Sequence, residues 1–163
     1  MSRFPLVAFV VLGIATVAAF FITQHLKVST PLISGVTPPS PAVIDPLSAR
    51  ICVTPVRRER VGPSSRISFY LLHASDRVDV YIVNRSGTRA IATLARNRFM
   101  KASLFPHEVP TAFAWDGRAQ DGSIAADGTY YFDVHLIHQG RTVTISNESG
   151  PLPVRVASRA GCA

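Results

Sequence analysis

The chain has 163 residues, 17 Lys and Arg against 10 Asp and Glu, a formal net charge of +7 and an apolar content of 47%. That length holds one ordinary domain with appendages, and the apolar fraction is enough for a core, which excludes a chain too polar to fold.

The first element is "FPLVAFVVLGIATVAAFFI", residues 4–22, which carries no charge. As a helix it would span roughly 28 Å, close to the hydrocarbon thickness of about 30 Å. A cleaved signal peptide has a shorter apolar run, about 7 to 15 residues, followed by a small-residue cleavage site. Here the small residues of "TVAAF" lie inside the run. Residues 1–27 are therefore expected to be an N-terminal membrane anchor or signal segment, with the membrane met through residues 4–22. Arg3 before the run and His25 and Lys27 after it give little orientational bias. Export of the C-terminal part is favoured because a first apolar segment acts as an export signal, so the expected location is the cell membrane, single-pass, with the C-terminal domain extracytoplasmic.

Next comes "STPLISGVTPPSPAVIDP", rich in Pro and Ser and without an apolar period. Proline fixes φ and withholds a donor, so residues 28–48 are expected to be an extended linker. From 49 to 163 the signal is period two. In "RISFYLLH" Ile67, Phe69 and Leu71 share a face, and in "RVDVYIVN" Val78, Val80 and Ile82 do. The short "HASDR" between them predicts an antiparallel hairpin. "NRSG" is a turn, a modest strand comes next over 88–94, and the basic stretch up to Pro106 and Pro110 reads as a long loop. "TAFAW", "TYYFDVHLIH", "RTVTIS" and "LPVRVA" complete seven or eight strands, which predicts an all-β, antiparallel, immunoglobulin-like sandwich.

Three Asp-Gly pairs stand between Trp115 and Tyr130. A helix-loop-helix calcium loop counted from Asp116 would need oxygen ligands where Arg118 and Gln120 stand, and a closing glutamate that does not arrive. Asp-Gly is a strong turn dipeptide, so corners are the preferred reading, with "SIAA" as a short intermediate strand or arm. A cation site on Asp116, Asp121 or Asp127 and a carboxylate pair for glycoside chemistry are the weaker alternatives. Trp115 is expected to bury its ring and give its indole N–H to a backbone carbonyl.

Other chemistry is thinly signalled. His135 and His138 lie three apart on a predicted strand and so point to opposite faces. The motifs GxSxG, HExxH, P-loop and CxxC do not occur. No catalytic, cofactor-binding or metal residues are assigned, and no cofactor. Asn84 and Asn147 open formal glycosylation sequons. Cys52 and Cys162 are an even pair that an oxidising compartment permits to bridge, closing about 110 residues for about 4 to 5 kcal/mol in the chain-entropy model; two free thiols are the alternative. Setting aside Arg3 and Lys27 leaves fifteen cations against ten acids, densest in "RRER" and "RNRFMK". An exported basic surface meets anionic envelope polymers or lipid headgroups, so no nucleic acid is expected. A solvated rim of loops is the plainer reading.

The segments "RISFYLL", "DRVDVYIVNRSGTRAIATL" and "FAWDGRAQDGSIAADGTYYFDVHL" resemble the bacterial Ig-like module of the flagellar hook-capping protein, found also in surface and secretion-related proteins. Trp115, Asp116, Gly117, Asp121, Gly122, Asp127, Gly128, Thr129 and Tyr130 fill that family's Trp-Asp-Gly to Gly-Thr-Tyr pattern. The resemblance spans about residues 64–138. It implies a β-sandwich with no catalytic residues to carry over. The N-terminal apolar segment separates this chain from the hook-capping protein, so hook assembly is not implied. The expected function is a non-enzymatic, membrane-anchored extracytoplasmic binding or scaffold module of a bacterial envelope, partnered by a protein or an anionic envelope polymer. The alternative is an accessory subunit of a flagellar, secretion or other envelope assembly machine.

Overall fold

The structure is a computed structural model that describes residues 4–29, 31–55, 57–85, 89–103 and 109–158. Its elements are α1 (Phe4–Ser29), β1 (Ile33–Ser40), β2 (Val43–Ile44), β3 (Cys52–Val53), β4 (Arg60–Gly62), β5 (Ser65–Leu71), β6 (Asp76–Asn84) and β7 (Ala90–Met100). After these come β8 (Thr111–Trp115), β9 (Gly128–Leu136), β10 (Arg141–Thr144), β11 (Ser146–Asn147), β12 (Gly150–Pro151) and β13 (Val154–Val156). The chain divides into two compact units, the second beginning at Leu32.

In α1 the side chains of residues 7–23 are exposed all round the helix, and nearly all are apolar. The hydroxyls of Thr16 and Thr23 donate back to the carbonyls of Leu12 and Ala19, which removes their polar hydrogens from the helix surface. Among the described residues no helix is long and apolar enough to cross a membrane. The helical side chains described fall short of the roughly 20 residues a span needs.

The second unit is all-β. One sheet has the order β1-β5-β8; a larger one has β3-β4-β2-β13-β9-β6-β7, with β10 beside β9; β11 and β12 pair separately. Pairing is antiparallel except at β2, which runs parallel to both β13 and β4 and departs from the all-antiparallel expectation. Ile67, Phe69, Leu71, Phe113 and Trp115 of the small sheet share one buried cluster with Val78, Val80, Ile82, Phe132, Val134 and Leu136 of the large one. The inward alternation therefore does what the period-two signal predicts on each sheet.

Three expectations need correction. Residues 28–48 are not a linker, because β1 and β2 lie there and Leu32, Val43, Ile44 and Asp45 are buried. The prolines misled because β1 is an edge strand, where a missing N–H costs no ladder bond on the open side. The predicted hairpin of β5 and β6 does not form: β5 pairs β1 and β8, whereas β6 pairs β7 and β9. "HASD" is a corner between sheets. Finally, "RNRFMK" is mostly strand, since β7 runs to Met100. The expected turn at Gly87 lies outside the described residues, as do 104–108 of the expected loop. Cys52 is disulfide-bonded, and Cys162 lies outside the described residues.

Candidate functional site

The Trp115–Tyr130 segment is built as a folded corner. Trp115 ends β8 at 2% exposure, donates its indole N–H to the Arg118 carbonyl at 2.7 Å, and packs edge-on to Tyr130 with ring centroids 5.0 Å apart. The Tyr130 hydroxyl donates to the Ala126 carbonyl at 2.7 Å, and burial, then the nearby Asp127 charge, pushes its pKa up. Between the two rings the chain makes a narrow arm, closed by Ala119 N–H to Ser123 O and Ala125 N–H to Gly117 O. "SIAA" forms no strand, only a single bridge from Ile124 to Arg118.

The three carboxylates serve three separate places. Asp116 accepts the Arg118 amide at 3.1 Å; Asp121 accepts the Ser123 amide and hydroxyl at 2.9 and 2.6 Å; Asp127 accepts the Ser158 amide at 2.8 Å. The Ser123 hydroxyl and amide hold the Asp121 carboxyl below its usual range, and the Ser158 amide does the same for Asp127. Gly117 and Gly122 take positive φ, +77° and +82°. Gly128 and Thr129 open β9 and pair with Val156 and Arg155. Among the described residues no three His, Cys, Asp or Glu side chains are grouped to hold a metal ion.

The arm has a structural target. Gln120 donates its amide N–H to the Ile91 carbonyl at 2.9 Å, and its side-chain oxygen accepts the Thr93 amide at 3.0 Å. The Asp-Gly turn thus caps part of the open edge of β7, which the sheet order leaves unpaired.

His135 and His138 do not converge. The His135 ring meets the Thr142 hydroxyl at 3.0 Å, whereas His138 lies beyond the end of β9 and gives its amide and ring to Asp76 at 3.0 and 2.7 Å. Asp76, 2% exposed, also accepts the amides of Arg77 and Gln139. Burial opposes its ionisation, but the bonds from His138, Arg77 and Gln139 outweigh that and hold its carboxyl below the ordinary range. Sequence reading missed this residue, since its partners on the far side lie about sixty positions away.

A shallow cavity of about 330 Å³ lies on the outer face of the large sheet, lined by Val83, Arg85, Tyr131, Asp133 and Thr144 with Asn84 and Pro151. Register explains the grouping, because Val83 stands opposite Tyr131 and Thr144 opposite Asp133. Thr144 donates its hydroxyl to the Asp133 carboxylate at 2.6 Å and fixes it. An aromatic wall, an oriented carboxylate and a rim guanidinium are groups for recognition. The only sequence signal was the polar, outward half of "TYYFDVHL". Comparison with family models, curated proteins and solved structures finds no match.

Proposed function

We propose that this chain is a membrane-anchored, extracytoplasmic binding module without catalytic activity, built as an immunoglobulin-like sandwich akin to the bacterial module that its Trp115–Tyr130 pattern resembles. The observation that carries the reading is the exposure of apolar side chains on every side of α1 over residues 7–23. A helix apolar all round calls for an apolar surrounding, and the uncharged run of 4–22 is long enough for a bilayer to supply one. Two sheets sharing one core support the sandwich. The outer-face cavity supports recognition of a protein or an anionic envelope polymer, with the Arg85 guanidinium and Tyr131 ring as contacts.

Carbonate washing and protease digestion of intact cells test it together. The chain should stay in the membrane after the wash while its β unit is cut or shielded from outside. Release by carbonate, or digestion only after lysis, would sink the reading.

A further inference from the structure

Register sets the chemistry of the outer-face cavity. The outward positions of β9 are Tyr131, Asp133 and His135; Val83 and Tyr81 of β6 stand opposite the first two, and Thr144 and Thr142 of β10 opposite the last two. Tyr131, Asp133 and Thr144 are half-buried, whereas Arg85 and Pro151 are exposed at the rim. The Thr144 hydroxyl holds the Asp133 carboxylate at 2.6 Å. A carboxylate has about four acceptor sites, and that bond takes one.

The composition of this face narrows what it can meet. Its floor strands, β6 and β9, are both interior, so their main-chain groups are spent in the ladder and an extended peptide cannot add to them as a further strand. An apolar ligand would take water from the Asp133 carboxylate without replacing it. A phosphate-rich polymer would set like charge against that carboxylate, with Arg85 the one cation among the described lining residues to offset it. A sugar ring suits all of these groups. Its carbon-bound hydrogens make an apolar face for Tyr131, Val83 and Pro151, and its hydroxyls are donors for Asp133. A carboxylate on the sugar matches the Arg85 guanidinium, which binds such groups through paired N–H donors. Beyond the cavity the same face continues through Tyr81, next to Asp133 in register, and through His135, whose ring meets Thr142. That continuation suits a chain of sugars better than a single one.

We propose that the outer face of the large sheet binds an acidic polysaccharide, with one sugar ring stacked on Tyr131, its hydroxyls donating to Asp133 and its carboxylate meeting Arg85. Such binding rests on the extracytoplasmic reading and selects the anionic polymer over the protein as partner.

Amide magnetic resonance shifts of the full-length chain in detergent, titrated with short oligosaccharides of alginate and of polygalacturonate, test it. The amides of Val83, Tyr131, Asp133 and Thr144 should shift saturably. Tyr131→Ala should weaken binding roughly tenfold and Tyr131→Trp restore it, while Asp133→Asn should weaken it by a similar factor. Arg85→Gln should cost roughly threefold with the acidic oligosaccharides and nothing with their carboxyl-reduced forms. The near-ultraviolet signal of the buried Trp115, unchanged in each variant, checks the fold. Absence of shifts at the cavity with both oligosaccharides, or shifts that persist in Tyr131→Ala, would overturn the sugar site. Equal shifts with polyglutamate, an acidic peptide without sugar rings, would assign the face to a protein partner instead. Release of the chain from membranes by carbonate would overturn the anchor alone, because the titration is read in detergent.

Discussion

Single positions show where backbone freedom and buried charge matter most. At Gly117 a Cβ would lie 2.7 Å from Pro46 Cγ and 3.0 Å from Ile44 Cγ2, whereas at Gly122 it would meet nothing within 4 Å. Both residues have positive φ. Gly122→Ala should then cost only the left-handed backbone penalty, about 1 to 2 kcal/mol, and Gly117→Ala that plus an overpacking cost of about 1 to 3 kcal/mol. Equal losses in urea unfolding would mean that Pro46 moves aside freely. Asp76 contributes to the acid limb together with the other carboxylates held below their ordinary range. Its folded pKa lies below the unfolded value of 3.8, so its stabilisation is present above that value and is lost as pH falls through the folded one. Asp76→Asn should lower stability near neutral pH by about 1 to 3 kcal/mol and flatten the decline on acidification; an unchanged acid limb would remove the residue from that role. The corners at Asp116 and Asp121 are legible in sequence because an Asx turn needs only the next two residues, whereas Asp127 accepts the Ser158 amide from the far end of the chain. Asp76 is not legible, because its donors arrive from another strand end.

Among elements, the edge of β7 is the one most dependent on a loop. Gln120→Ala removes the side-chain bond to the Thr93 amide, 3.0 Å long, while leaving the main-chain bond to Ile91. Amide exchange at Thr93 should accelerate by roughly fivefold, the equivalent of about 1 kcal/mol, with core amides of β6 unchanged. Protection that survives the substitution would assign the edge to some other cover. The strands themselves were readable wherever one face is buried, as at β5, β6 and β9, since alternation is imposed by the pleat. Pairing was not. A short connection after Leu71 suits a hairpin as well as a corner, and only the competition of both sheets for the same inward faces decides which forms. Likewise β1 hides behind prolines that an edge strand tolerates and a central strand would not, and β2, two residues long, is too short to show a period.

For the molecule as a whole, the shared core makes the two sheets one cooperative body. Phe69 lies in the small sheet and Phe132 in the large one, and both are fully buried in the same cluster. Phe69→Ala and Phe132→Ala should each cost about 3 to 5 kcal/mol and shift one transition, identical by Trp115 fluorescence and far-ultraviolet circular dichroism. Divergent curves would mean that the sheets unfold separately. The sequence by itself determined the all-β class, the burial parity of the long strands and the turn chemistry around Trp115, because each depends on neighbours along the chain. The tertiary structure alone decided that 32–45 belongs to the domain, that β5 and β6 part into different sheets, and that Val83, Tyr131, Asp133 and Thr144 line one cavity. Those outcomes depend on which distant segments compete for one core, and no local pattern carries that information.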